Sequence, residues 1–461
     1  MINFNYVKDK NMVFYRLFAL SILSTVFISA SSLAKDEQNI YELTSPQGCV
    51  DKNIITTKTV SLIDLIKIGI CNNPNLNADY IQYLERKEDL SSAKSEYFPN
   101  IDLSTSFNKS TSKSQNLKTT EKDPYNINLG LSMLLYDFGG RSARIDSFKS
   151  YLANSGFEYN KSLQDLILSI HTAYFKLLGA KEDLLSAKAN ETMYKKSYDE
   201  AKRKYEVGLA ALNDKLQTKT IYEQSKLKVI EMENAVKQNE GNLATILNLP
   251  PQTTFNLQSP PKDRDLTALN KEDTLDEIIE KASQNRVEIK AQEENINNAN
   301  ANLREARSSR FGAISFSVDS SYNNSWNNEY SYKRDNQIGI NYRLPLFTGF
   351  ETTHKIASAK LKRQKERYLL DELKNQIKNE VWSAYHNYQT SLKSYEVSKN
   401  LLKSAKENEK VAFKSYEVGQ TDIINLLTAE SQLAEARDTL VNAFYTVLIN
   451  KATLYRSIGR F

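Results

Sequence analysis

The sequence predicts a mixed α/β membrane protein in which short amphipathic strands run straight into very long helices, the whole plan being written twice. Three observations predict it. Tyr205-Glu206-Val207-Gly208 returns as Tyr416-Glu417-Val418-Gly419, 211 residues on. Two stretches of more than 100 residues, from Pro124 to Pro250 and from Pro345 to the end, hold no internal proline and are rich in Lys, Glu, Ala, Leu and Gln, which favours long helices. Four other segments alternate apolar and polar residues with a period of two, the pattern of half-buried strands.

The repeat runs through the chain. Ala173-Tyr174 matches Ala384-Tyr385, Leu135 and Phe138 match Leu344 and Phe347, and Ala93 and Phe98 match Ala306 and Phe311. Solenoid units run about 20–50 residues, so this period marks a duplicated half-molecule. The expected order in each half is helix, strand, loop, strand, long helix, shorter helix. The halves cover about residues 61–249 and 274–461, joined by a proline-rich linker at 250–273.

Residues 1–34 read as a secretory signal. Basic residues up to Arg16 precede an apolar run from Leu17 to Ile28, and Ser32-Leu33-Ala34 or Ile28-Ser29-Ala30 offers a cleavage site. That run, about 12 residues, is short for a bilayer core of about 30 Å; an uncleaved anchor is the alternative, and Met12 is a second possible start. No cysteine stands at the cleavage point, which argues against a lipid-modified N-terminus. Residues 35–60 form an N-terminal extension. The chain's two cysteines, Cys49 and Cys71, form either a disulfide, which suits an exported protein, or two buried free thiols. The disulfide's loop would contribute about 3 kcal/mol by the chain-entropy argument.

Each strand has one apolar face. Ile101, Leu103 and Phe107 mark the first (about 100–108). Tyr125, Ile127, Leu129, Leu131, Met133 and Leu135 mark the second (about 124–136). Ile314, Phe316, Val318 and Tyr322 mark the third (about 313–323), and Ile338, Ile340, Tyr342 and Leu344 the fourth (about 336–345). Polar loops at 109–123 and 323–336 connect them. About 10 residues with one apolar and one polar face suit a strand between lipid and a watery lumen. A soluble sheet on a core is the competing reading. It lacks partners, because the helices spend their apolar residues on narrow seams. One such seam is Leu433, Ala436, Leu440, Ala443 and Val447, spaced by threes and fours. A helix from about Gly140 to Tyr205 is on the order of 100 Å long, too long for a compact globule. Four strands cannot close a barrel, for which the smallest known outer-membrane examples use about eight, and in lipid every edge must be paired. The barrel must therefore be shared between chains.

Mean hydropathy is −0.54, with 40% hydrophobic residues, which excludes a polytopic helical membrane protein. The net charge of +5 is too small to indicate a nucleic-acid partner.

From about Ser61 to the C-terminus the chain resembles the TolC family of outer-membrane export channels. The residues that carry the resemblance are Ser61-Leu62 with Asn73-Pro74 and then Tyr97-Phe98-Pro99. Leu134-Leu135-Tyr136-Asp137-Phe138-Gly139-Gly140 and Leu344-Pro345-Leu346-Phe347-Thr348-Gly349 follow, and then the paired Tyr-x-x-Gly turns. The resemblance implies a homotrimer with a 12-stranded transmembrane β-barrel, four strands per chain, continued by a 12-helix periplasmic tunnel. It implies an outer-membrane location and docking to an inner-membrane pump or ABC transporter through a periplasmic adaptor. The cargo is either small molecules or polypeptides of type I secretion; the Cys49–Cys71 pair is similar to some type I secretion members. A soluble periplasmic coiled-coil protein, structural or adaptor, is the alternative.

The resemblance also places a periplasmic gate at the turns around Gly208 and Gly419. Tyr416 and Asp214 match a tyrosine and an aspartate that are linked in the family; ordinary helix-turn packing and capping is the alternative for both. The family's linking arginine falls at Thr421, and its two constriction carboxylates fall at Asn425 and Thr428. Asp422 lies close by and is a candidate for part of the missing charge. The departures imply a weaker latch and put cation selectivity in doubt.

No enzyme chemistry is legible, and no cofactor is expected. His171, His354 and His386 have no metal-ligand spacing. Asp137-Phe138-Gly139 imitates the kinase magnesium triplet without a His-Arg-Asp loop, a phosphate-binding glycine loop or a strand lysine. There is no Walker motif or nucleophile elbow.

Overall fold

A computed structural model of the chain describes residues 59–114, 117–122, 124–260, 266, 274–325 and 333–461. The signal segment, Met12, Cys49 and nearly all of the N-terminal extension lie outside the described residues. Cys71 is disulfide-bonded; Cys49, its expected partner, is among the residues not described.

The elements in order are α1 (Leu62–Asn72), α2 (Pro74–Ser95), β1 (Asn100–Phe107), β2 (Ser110–Ser114), β3 (Leu117–Lys122), β4 (Pro124–Tyr136), α3 (Gly140–Glu206) and α4 (Leu212–Ile246). The second half supplies α5 (Leu275–Asn285), α6 (Val287–Ser308), β5 (Ala313–Ser325), β6 (Lys333–Arg343), α7 (Glu351–Glu417) and α8 (Ile423–Ser457). The duplication holds to the residue: α3 and α7 are each 67 residues long, and α4 and α8 each 35.

The single helix expected before each strand pair is two helices. In the first half Pro74 breaks it, occupying the first helical position, where its missing N–H is harmless. Asn73 caps α2 by accepting from the Leu76 amide at 3.0 Å, and its side-chain amide donates to the Ile246 carbonyl at the end of α4. Arg286 does the equivalent work in the second half, donating to the Ser457 carbonyl at the end of α8 and to Glu380 at 3.0 Å. Capping boxes open both pairs, Ser61 with Asp64 and Thr274 with Glu277.

The described residues divide into two compact units, the first comprising those within 59–78, 160–286 and 375–461, the second those within 79–159 and 287–374. The first unit has its core in Leu65, Ile68, Ile170, Leu177, Leu243, Leu247, Ile278, Ile377 and Leu454, all fully buried or nearly so. Part of the linker is strapped onto it. Asn256 and Gln258 exchange backbone hydrogen bonds with Val60, Tyr174 donates its hydroxyl to the Gln258 carbonyl, and Phe255 and Leu257 are buried.

The second unit holds a four-stranded antiparallel sheet in the order β1-β4-β5-β6. The register aligns the apolar faces across all four strands: Ile101, Leu131, Val318 and Ile338 form one row. The next row, Asp102, Gly130, Asp319 and Gln337, lies on the other face. Among the described residues no core covers the apolar side: Leu103 is 69% exposed, Ile338 74% and Ile340 70%. Aromatic clusters flank it at both ends. Phe107, Tyr125 and Tyr322 stand at one, with ring centroids 6.1–6.2 Å apart; Tyr136, Phe138, Phe311 and Tyr342 stand at the other. An apolar band between two aromatic girdles is the surface a barrel presents to lipid.

Two sequence expectations need correction here. Much of the polar 109–123 connection is not loop: β2 pairs antiparallel with β3. β5 and β6 also run further than expected, to Ser325 and from Lys333. Among the described residues no helix is long and apolar enough to cross a membrane.

The strand-to-helix junctions share one backbone device. Phe138 and Gly139 have φ of 57° and 90°, and Gly349 and Phe350 have 61° and 66°, so two successive left-handed residues turn the chain in each half. Arg141, buried behind the first turn, donates to the carbonyls of Glu96 and Leu134 at 2.9 Å and stacks 3.8 Å over the Tyr97 ring. Gly312, φ 74°, lets β5 pass β6; a Cβ there would lie 2.0 Å from the Arg343 carbonyl oxygen.

Candidate gate at the helix tips

The paired Tyr-x-x-Gly motifs end α3 and α7 in the same way. In the first, Leu209 donates to the Lys204 carbonyl and Gly208 to that of Tyr205; in the second, Gln420 donates to Ser415 and Gly419 to Tyr416. This is a Schellman cap, which needs a left-handed residue, and Gly208 and Gly419 supply it at φ 77° and 79°.

Beyond the turns the halves diverge. Tyr416 is 4% exposed and packs with Phe413, Ile423, Leu426 and Leu427, with Ile221 of α4 against them. Its first-half counterpart, Tyr205, is 36% exposed. Lys204 reaches from α3 to the second tip, donating to the Tyr416 carbonyl, with its ammonium 4.3 Å over the Tyr416 ring. Sequence reasoning missed this lysine; the one available signal was that residue 415, its repeat counterpart, is serine.

The structure brings Asp214 and Tyr416 close enough to interact by charge, without a hydrogen bond. The Tyr416 hydroxyl is buried and has no hydrogen-bond partner among the described residues. Burial first, and then the charges of Asp214 and Glu200, push its pKa up to about 12. Asp214 lies in the first turn of α4, where the helix dipole favours a negative charge.

Asp422, the candidate for part of the missing charge, also has a structural task. It is the N-cap of α8, its carboxylate accepting from the Asn425 amide at 2.8 Å. Asn425 and Thr428 are exposed. The Asn425 side-chain amide donates to the Thr421 hydroxyl at 3.2 Å, and the Thr428 hydroxyl donates back to the Ile424 carbonyl. This face of α8 thus carries uncharged polar groups beside one capping carboxylate.

Farther along the first unit a concavity of about 890 Å³ is lined by α3, α4, α7 and α8. Its lining includes hydroxyl, amide and charged side chains, among them Ser394, Thr439, Lys228, Asp183 and Asp438, beside the apolar Ala187, Ile221 and Met232. Burial and then the nearby Asp438 raise Asp183 to about 6. Among the described residues no group of three or more His, Cys, Asp or Glu is placed to hold a metal ion.

The sequence matches the outer membrane efflux protein family over residues 65–249 and 278–460, one segment in each half. Protein CyaE of Bordetella pertussis is 27% identical over 387 residues, covering 82% of this chain and 79% of that one. Outer membrane protein TolC of Vibrio cholerae is 23% identical, covering 84% and 88%. The crystal structure of outer membrane protein VceC from Vibrio cholerae superposes with a TM-score of 0.74 at 17% identity, covering 86% of this chain and 96% of that one.

Proposed function

The chain belongs to the outer membrane efflux protein family; it is an outer-membrane exit duct of a Gram-negative bacterium and not an enzyme, and we propose that it works as a homotrimer gated at its helix tips. The sheet is the observation that supports a barrel shared between chains; the number three is what the family resemblance implies. Its one apolar face lies between aromatic girdles, and β1 and β6 stand at its two edges. A lipid-embedded sheet with open edges is not tolerated, so edge β6 of one chain pairs with β1 of the next. Three copies give a 12-stranded barrel of the usual even strand number.

The duct is passive, and its energy comes from partners: a periplasmic adaptor and an inner-membrane pump or ABC transporter. Of the two cargo classes, secreted polypeptide is favoured over small molecules by the Cys49–Cys71 pair, which is similar to that of some type I secretion members. Purification of the chain from cells after brief amine cross-linking tests this reading. Co-purification of an ABC transporter with its adaptor is expected. A proton-driven multidrug pump in its place moves the reading to small-molecule efflux, and neither partner contradicts the coupling.

A further inference from the structure

Glu430 is a carboxylic acid without access to water: its exposure is 0%. Along α8 it falls between the tip cluster of Ile423, Leu426 and Leu427 and the next apolar contacts, Leu433 and Ala436, which pack with Ala405 of α7. Ser197 of α3, also fully buried, donates its hydroxyl to one carboxylate oxygen. The other oxygen is buried and has no hydrogen-bond partner among the described residues. An ionised carboxylate left in this state is costly, whereas a neutral one is tolerated. The repeated frame does not require an acid here, since the equivalent residue of the first half is the exposed Lys219.

The groups facing Glu430 from its neighbours do not neutralise it. Lys196 of α3 favours the charged form, but its ammonium is 3.8 Å over the Phe413 ring. Glu409 of α7 opposes that form, and Tyr194 of α3 is a half-buried phenol that itself responds to the Glu430 charge. Burial dominates and lifts Glu430 from its ordinary 4.5 to about 7, with the Ser197 bond pulling the other way.

We propose that Glu430 is a proton-operated lock on the gate: when protonated it holds α8 against α3 behind the tip, and when ionised it drives that seam apart and frees the tip to open. The lock rests on the reading of the tip as the gate. The sign follows from linkage. A carboxyl that binds its proton more tightly in the closed seam than in water stabilises that seam fully below its ordinary value of 4.5, and this stabilisation is lost as the pH rises through about 7.

Single-channel conductance of the full-length protein in planar bilayers, at about pH 5.5 and about pH 8, tests the lock. Wild type opens severalfold more at the higher pH. Glu430→Gln, which is neutral at both, stays closed at both. Ser197→Ala, which removes the bond that favours the ionised form, moves the opening midpoint to higher pH. Thermal melting in detergent gives a readout that does not depend on gating: the wild-type Tm falls from the lower to the higher pH, and that of Glu430→Gln does not. A Tm and conductance that change with pH equally in wild type and Glu430→Gln overturn the lock. If wild type shows no pH response while the double variant Asp214→Ala with Tyr416→Ala still enlarges the pore, the lock falls and the gate stands. If that double variant leaves conductance unchanged, the gate reading itself fails and takes the lock with it.

Discussion

Arginine in place of Leu129 and of Phe316 in the same chain abolishes recovery of the protein from the outer membrane. Leu129 sits in register with Leu103 of β1, and Phe316 with Met133 of β4 and Ile340 of β6, all on the apolar face. An arginine facing lipid near the bilayer midplane costs about 2–4 kcal/mol in a barrel. Two substitutions in each of three chains multiply that cost beyond what marginal stability can absorb. Asn128→Arg is the control. It lies on the opposite face, in register with Ser104 and Ser321, and assembles normally because that face borders the lumen. Fractionation followed by immunoblotting reads both outcomes. Normal assembly of the double arginine variant contradicts a lipid-facing sheet and favours a soluble periplasmic coiled-coil protein.

Loss of both Asp214 and Tyr416 as alanines enlarges the conductance of the trimer in planar bilayers. Tyr416 is a buried member of the tip cluster, and the Lys204 ammonium lies over its ring. Truncating a buried aromatic side chain costs about 3–5 kcal/mol, and here the cost falls on contacts that hold the tip together. Tyr416→Phe separates the ring from the hydroxyl. Because that hydroxyl is buried without a hydrogen-bond partner among the described residues, removing it leaves the pore closed and the tip as stable as before, or more so. Unchanged conductance in the double alanine variant shows that these residues do not gate.

Much of the fold was legible because its signals are periodic. Ile101, Leu131, Val318 and Ile338 could each be assigned to an apolar face from their own segment, and the register then set them in one row. The break at Asn73-Pro74 has a proline to announce it. The equivalent break at Arg286-Val287 has none; it depends on a buried arginine reaching the last turn of α8. The β2–β3 pair was invisible for a different reason: its segment, Ser110 to Lys122, is almost wholly polar and offers no face for alternation to mark. The junctions were only partly read. Leu135 and Phe138 align with Leu344 and Phe347 by residue type, but three residues separate β4 from α3 while seven separate β6 from α7, so the turns themselves align two residues away from that match.

At the tip the glycines were legible from their turn motif, and the contacts were not. Asp422 could be counted as a charge but not recognised as a cap. Lys204 and Tyr416 are 212 residues apart, and Ser197 and Glu430 are 233 apart. Pairings of that range are set by how α3 lies against α7 and α8, which no local pattern encodes.

The central claim is that several copies of this chain share one barrel. The most direct measurement is the native mass of the protein extracted in detergent from isolated membranes, corrected for bound detergent. A trimer recovered only from the outer-membrane fraction is the predicted result. A monomer or dimer released without detergent contradicts the account.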